Sequence, residues 1–386
     1  MKINRQIFLF VLLCSLVICM LALPISAHGT GLDSARAAVV IDTRTGEILY
    51  AHDEHERLPM ASTTKIMSAL IALESGSPDE EFTVDSEAVR VEGSSMGLRE
   101  GDTVTMRALV CGMLLPSGND AANAAAVRVS GSVEKFVGEM NARAVQMGLK
   151  DTHFVTPSGL DDDTDEHYSS AYDMAVLAAN ALENADFAAI CSQKYIKVRF
   201  GQPPYDRWLT NTNRLLGSCE GVVGVKTGFT DKAKRCLVSA CERDGARLVC
   251  VTLGDPDDWK DHSALYDRCF AKMRLTHMEG SGREYSVAVA GGEKKTVTAV
   301  AAPLDLMLPE SAADKVQAKV RMKRFIFAPV ESGEQVGSVT YYVGERSICE
   351  LPIRTVEGTQ VVKTEKSEWK KLLKNIDTIL GKRNGG

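Results

Sequence analysis

The apolar positions of this chain change period several times, and each change predicts an element. Ala37-Ala38-Val39-Val40-Ile41 and Ile48-Leu49-Tyr50-Ala51 flank the polar run Asp42–Glu47, which predicts a β-hairpin over residues 35–52. Ile66, Met67, Ala69, Leu70 and Leu73 then recur at helical spacing, so a helix starts at Ser62. Further helical patterns run from Thr103 to Leu115, through the alanine-rich Ala121–Ala126, from Phe136 to Met147 and from Tyr172 to Ala185. Leu237–Ala240 and Leu248–Leu253 read as buried strands, Val222–Gly228 as a strand ending in a turn, and Trp259–Met273 as a closing helix. After Gly282 the texture changes. Ser286–Gly292, Thr296–Val300, Lys315–Arg321, Gly337–Tyr342 and Ser347–Pro352 predict strands, with no helical signal until Thr364. The expected body is therefore a domain over residues 28–275 with strands at both ends of a helical middle, then a small β-rich domain over 276–360 acting as a spacer.

Both termini carry membrane-type patterns. Lys2 and Arg5 precede an apolar run from Ile7 to Leu23, and Pro24-Ile25-Ser26-Ala27 follows. This predicts a signal peptide over residues 1–27, cut after Ala27; the alternative is an uncleaved N-terminal membrane helix, and either way the body is exported. Cys19 follows Ile18 rather than a small residue, which argues against lipid attachment there. In the C-terminal segment, 361–386, Trp369, Leu372, Leu373, Ile376, Ile379 and Leu380 form one apolar stripe flanked by Lys366, Lys370, Lys371 and Lys374. That pattern predicts an amphipathic anchor helix in the plane of an anionic membrane surface, holding the protein to the outer face of the cytoplasmic membrane. The alternative is a terminal helix packed on its own protein.

Composition narrows the partners. The 386 residues carry a net charge of −6, so no dominant basic face is available for nucleic acid. Outside the signal segment stand eight cysteines: Cys111, Cys191, Cys219, Cys236, Cys241, Cys250, Cys269 and Cys349. An even number in an exported chain permits disulfides and leaves their pairing open. No Cys-x-x-Cys or Cys/His spacing occurs, so no metal site is expected. Cys236 and Cys250 lie in apolar runs and read as small core residues.

Candidate chemistry gathers on short motifs. Ser62-Thr63-Thr64-Lys65 puts a hydroxyl and an amine on one helix face, where backbone N–H groups point outward. A serine needs a base to become a nucleophile, and lysine serves only if burial or a neighbouring cation lowers its pKa from about 10.4. Spacing alone does not single out this pair, because Ser132-Val133-Glu134-Lys135 and Ser367-Glu368-Trp369-Lys370 share it. Order does: Ser62 is followed by Ser117-Gly118-Asn119 and then by Lys226-Thr227-Gly228.

With these motifs in order the chain resembles the serine penicillin-binding proteins and β-lactamases, and more closely the low-molecular-mass D-alanyl-D-alanine carboxypeptidases. Phe154–Leu160, His167–Ala175, Asn211–Leu216 and Lys226–Ala233 are similar to that family's sequence. The resemblance implies an α/β (α+β) transpeptidase fold, an antiparallel sheet with a helical cluster, followed by a small all-β domain. It implies that Ser62 attacks the penultimate D-Ala carbonyl of a peptidoglycan stem peptide, Lys65 takes its proton and Ser117 relays a proton. Asn119 would hold the substrate amide and brace the lysines, Lys226 and Thr227 would hold the terminal carboxylate, and Gly228 would leave the strand edge clear. The backbone N–H groups of Ser62 and Phe229 would form the oxyanion hole. β-Lactam antibiotics would acylate Ser62 and leave slowly; no cofactor is implied.

Some positions depart from the family pattern. Phe229 stands where many relatives carry a polar residue, Lys234-Arg235 where they often have a small pair with glycine, and a carboxylate-binding arginine has no counterpart near Asp257–Lys260. The acidic turn Thr156–Asp163 taken alone reads as a solvated loop, and His167 as a structural histidine. Three rival functions share these motifs: a β-lactamase, an endopeptidase cutting D-Ala crosslinks, and a penicillin-sensing wall protein without turnover. Against the first, no glutamate-containing deacylation loop is evident between Ser117 and Lys226.

Overall fold

The long apolar runs pack as one five-stranded sheet against a cluster of helices. The computed structural model describes residues 34–363, apart from 87, 162 and 163, together with 374–376. The expected signal segment and most of the expected anchor helix lie outside the described residues. The described chain divides into two compact units.

In the first unit the elements are β1 (Ala37–Asp42), β2 (Ile48–His52), a 3-10 turn (Ala61–Thr64), α1 (Lys65–Glu74), β3 (Glu81–Thr83), β4 (Thr103–Thr105), α2 (Met106–Leu114) and α3 (Asn119–Ser130). They continue as α4 (Val133–Gln146), α5 (Ala171–Ala181), α6 (Ala185–Cys191), β5 (Tyr195–Gly201), β6 (Pro204–Thr210), β7 (Val222–Thr230), β8 (Lys234–Arg243), β9 (Ala246–Leu253) and α7 (Asp258–Phe270). The main sheet has the order β2-β1-β9-β8-β7, and β3-β4-β5-β6 form a second sheet. Helix α1 is buried from Lys65 to Leu73 and forms the centre of the core. The alanines of α3 are small enough for close helix packing, and Ala121, Ala122 and Ala124–Ala126 are all buried. By contrast α4 buries only Phe136, Met140 and Ala144, one stripe at a spacing of four.

Several expectations change. Thr103–Leu115 is not one helix. Thr103–Thr105 is extended and pairs with β3, and the Thr105 hydroxyl then caps α2 by accepting from Ala108 N. Tyr172–Ala185 is two helices bent by 110°, because the Asn184 side chain caps a new one by accepting from Asp186 N and Phe187 N. The closing helix stops at Phe270, and Met273 already belongs to a strand of the second unit. The strand at Val222 does not turn at Gly228 but runs to Thr230, antiparallel to β8. The β5–β6 hairpin has no counterpart in the sequence reading.

The second unit contains β10 (Met273–His277), β11 (Glu284–Ala290), β12 (Thr296–Ala301), β13 (Asp305–Pro309), the one-turn α8 (Glu310–Ala313), β14 (Val316–Met322), β15 (Phe325–Phe327), β16 (Gln335–Val343) and β17 (Arg346–Thr355). Six of these strands form a sheet in the order β14-β16-β17-β12-β11-β15, and β10 pairs with β13. Its core includes Val287, Val297, Val339, Tyr341 and Ile353.

Candidate active site

Ser62 lies in the 3-10 turn that feeds α1, half-buried, with Ala61 before it held at φ 48°. One turn later the Lys65 side chain is fully buried. Its Nζ stands 2.9 Å from Ser62 Oγ, 2.7 Å from Asn119 Oδ1 and 2.6 Å from the Ser158 carbonyl oxygen. Burial first, and the nearby Lys226 second, hold the Lys65 amine well below the usual lysine range, against an opposing pull from Asp120. The partners then dictate the geometry. A neutral amine has two N–H bonds and one lone pair. Ser158 O and Asn119 Oδ1 can only accept, so they take both N–H bonds and the lone pair is left facing the Ser62 hydroxyl.

The Asn119 amide is oriented from its other end, where Nδ2 donates to Glu92 O at 2.7 Å. Its neighbour Asp120 is buried and accepts from Ser95 Oγ and from the backbone N–H groups of Met96, Gly97, Leu98 and Ala121, at 2.6–3.1 Å. One carboxylate thus ties residues 95–98 across the loop that starts α3. Ser117 in that loop is buried with φ 67°, and its hydroxyl has no hydrogen bond to Lys65 or Lys226 among the described residues.

Strand β7 forms the opposite wall. Lys226 is buried, its Nζ donates to Thr227 O at 2.7 Å, and burial brings its amine down to about 7. Thr227 Oγ1 lies 2.6 Å from Thr212 Oγ1. A Cβ added to Gly228 would sit 3.0 Å from Met60 O and 3.2 Å from Ser62 N. Glycine at 228 therefore lets β7 approach the 61–64 turn itself. Phe229 follows with its ring 61% exposed.

A profile of the D-alanyl-D-alanine carboxypeptidases matches residues 27–257, and one described as the penicillin-binding protein 5 C-terminal domain matches residues 276–367. This chain belongs to the D-alanyl-D-alanine carboxypeptidase family. The carboxypeptidase is 32% identical over 337 residues to the DacF D-alanyl-D-alanine carboxypeptidase of Bacillus subtilis, covering 84% of this chain and 85% of that one. It is 32% identical over 220 residues to a D-alanyl-D-alanine endopeptidase of Pseudomonas aeruginosa, covering 56% of this chain and 70% of that one. Penicillin binding protein 5 from Haemophilus influenzae superposes with a TM-score of 0.59 at 28% identity, covering 85% of this chain and 98% of that chain.

The carboxypeptidase also recruits residues that sequence reasoning passed over. Over its described residues 156–161 the acidic turn is not a solvated loop: Pro157, Ser158, Gly159 and Asp161 are buried. Ser158 O receives Lys65, and Pro157 O receives Ser68 Oγ at 2.6 Å. At Gly159, φ is 90° and an added Cβ would lie 2.0 Å from Ala61 O, so this turn braces the nucleophile turn from behind. His167 is structural. Val155 N donates to its Nδ1 at 2.9 Å, which puts the ring proton on Nε2, 2.8 Å from Thr64 Oγ1, and that hydroxyl donates to Ala61 O. Burial lowers His167 to about 4, so the ring stays neutral in this role. Two signals were available: the similarity of Phe154–Leu160 to the family's sequence, and Gly159 itself, a residue suited to positive φ beside a serine.

The other Ser-x-x-Lys matches separate. Ser132 is the cap of α4, its Oγ accepting from Lys135 N at 3.2 Å. Ser367 and Lys370 lie outside the described residues. All eight described cysteines are free thiols, and Cys236 and Cys250 are fully buried.

Proposed function

We propose that this carboxypeptidase uses Ser62 to remove the terminal D-alanine from peptidoglycan stem peptides during cell wall biogenesis. Ser62 Oγ bonds to the penultimate D-Ala carbonyl carbon as its proton moves to Lys65 Nζ. The developing oxyanion is stabilised by the N–H groups of Ser62 and Phe229, which is worth about 3 kcal/mol per donor in comparable sites. The C–N bond then breaks, and the proton passes from Lys65 to the departing amine, with Ser117 as relay. Lys226 and Thr227 hold the terminal carboxylate and Asn119 the substrate amide. Water, deprotonated by Lys65, adds to the ester, frees the shortened peptide and restores Ser62. Penicillin enters the same path and stalls at the acyl-enzyme.

The donor count at Lys65 supports this reading most, because it turns a neutral amine toward Ser62. Release of D-Ala from diacetyl-Lys-D-Ala-D-Ala tests it. Ser62→Ala should abolish both D-Ala release and covalent penicillin labelling; surviving labelling would mean another nucleophile. Rapid penicillin turnover without D-Ala release would favour a β-lactamase instead. The similarity to the Pseudomonas endopeptidase supports a second substrate, the D-Ala crosslink, and a crosslinked muropeptide dimer in the same assay measures it. The protein works outside the cytoplasm. The apolar stripe and lysines of residues 366–380 support peripheral attachment to the outer face of the cytoplasmic membrane.

A further inference from the structure

The edge strand β15 carries two exposed rings. Phe325 is 53% and Phe327 71% exposed, while Ile326 between them points into the core of the second unit. The rings lie edge to face with centroids 5.3 Å apart, so they make one apolar projection. β15 is the last strand of its sheet and pairs only with β11, Ala288 opposite Phe325 and Ala290 opposite Phe327. Residues 361 and 362 run along the end of the neighbouring strand. Val362 N donates to Gly291 O at 2.9 Å and Val361 bridges Gly292, the two residues that follow Ala290. Val361 and Val362 are each about half exposed.

Charge surrounds this apolar edge. Lys323 and Arg324 precede β15, Lys294 and Lys295 stand in the turn after β11, and Lys363 follows Val362. Glu357 pairs with Lys294, and Glu334 lies 4.0 Å from Lys323. Lys295, Arg324 and Lys363 have no acidic partner among the described residues. The exposed Glu293 stands in the same turn, its N–H bonded to Gln360 O, so three unpaired cations and one acid flank the edge in the chain. Scattered exposed apolar residues are ordinary, but a paired aromatic projection on an edge strand with an excess of cations beside it is not.

We propose that this edge is a second membrane contact. Phe325, Phe327, Val361 and Val362 enter the interfacial layer of an anionic bilayer, and Arg324, Lys295 and Lys363 meet its headgroups. A second copy of the chain is the rival occupant, and the same cations disfavour it, since a symmetric pairing would bring them face to face. The proposal extends the reading that residues 366–380 lie on the membrane, because that sequence begins just beyond Lys363. Two adjacent contacts reinforce one another, as a first binding event raises the local concentration for the second.

Partition of the full chain onto vesicles of phosphatidylcholine, with and without phosphatidylglycerol, tests this. Phe325→Ser with Phe327→Ser should lower partition onto the phosphatidylglycerol vesicles roughly tenfold, from the apolar area removed. Both side chains face solvent, so thermal melting and D-Ala release from a soluble peptide should be unchanged. In a separate variant, Phe327→Trp should gain fluorescence quenching by brominated lipid beyond that of the parent chain. Unchanged partition, or no added quenching, overturns the proposal, as does a loss of self-association in place of a loss of partition. A chain ending at residue 363 is read independently. If it partitions as the full chain does, the anchor-helix reading fails; if it retains weak binding that the phenylalanine pair removes, the second contact stands.

Discussion

Lys65 has three polar neighbours, and two of them can only accept. That asymmetry decides which way its lone pair points, and its lowered pKa decides that the lone pair exists. The pH dependence follows. Acylation needs unprotonated Lys65, so the rate of penicillin labelling should rise with pH through the Lys65 pKa and fall on the acid side. Lys226→Gln removes the neighbouring positive charge that helps depress Lys65. The acid limb should then move to higher pH even as the overall rate drops, which stopped-flow labelling across pH measures; an unmoved limb would mean that burial alone sets the Lys65 pKa. At this scale the Ser62–Lys65 pair was legible, because its spacing is local and the order of Ser117-Gly118-Asn119 and Lys226-Thr227-Gly228 after it separates it from the other Ser-x-x-Lys matches. Asn119, 54 positions away, was legible through the family resemblance, which has its amide brace the lysines; Ser158, 93 positions away, was not, because a backbone carbonyl carries no residue-type signal and reaches Lys65 only through folding.

Among the elements, two helix starts share one motif and serve different ends. Ser132 caps α4, so Ser132→Ala should cost about 1 kcal/mol in urea unfolding and leave D-Ala release untouched. Gly159 shows the reverse case, a loop position with consequences at the nucleophile. Gly159→Ala must relieve both a φ of 90° and a contact of 2.0 Å to Ala61 O. It should destabilise by about 2–4 kcal/mol and slow penicillin labelling more than Ser132→Ala does, since relief of the clash moves the 61–64 turn. The hairpin at residues 35–52, the alanine helix and the α4 stripe were readable from periodicity. The break at Asn184 and the strand at Thr103–Thr105 were not. Each replaces a continuous helical pattern by a side-chain cap, and a cap of about 1 kcal/mol is invisible to hydrophobic spacing.

For the whole molecule, the chemistry belongs to the first unit and the proposed membrane contacts to the second unit and the tail. No single helix among the described residues is long and apolar enough to cross a bilayer. A chain ending at residue 363 that also carries Phe325→Ser and Phe327→Ser should shift from the membrane to the soluble fraction on cell fractionation while keeping its specific activity on a soluble peptide. If it stays membrane-bound, an uncleaved N-terminal helix is the better explanation. Activity on intact cell wall should fall more than activity on the soluble peptide, because the tether, not the site, is lost.

Sequence alone determined the order of the motifs, the pairing of Ser62 with Lys65, the change from a mixed domain to a β domain, and the amphipathic pattern of residues 366–380. These are properties of spacing and local period, which need no fold to be read. Tertiary structure decided what surrounds them. It brought Ser158 O to Lys65, wedged Gly228 and Gly159 against the 61–64 turn, and set Asp120 to hold the 95–98 segment. It also placed Phe325 and Phe327 at a sheet edge that no periodicity announces, on the strand next to the one whose end meets Val361 and Val362. The physical reason is the same in each case: these are contacts between distant segments, and their value depends on burial and distance, which the chain acquires only when the sheet and helices close on one another.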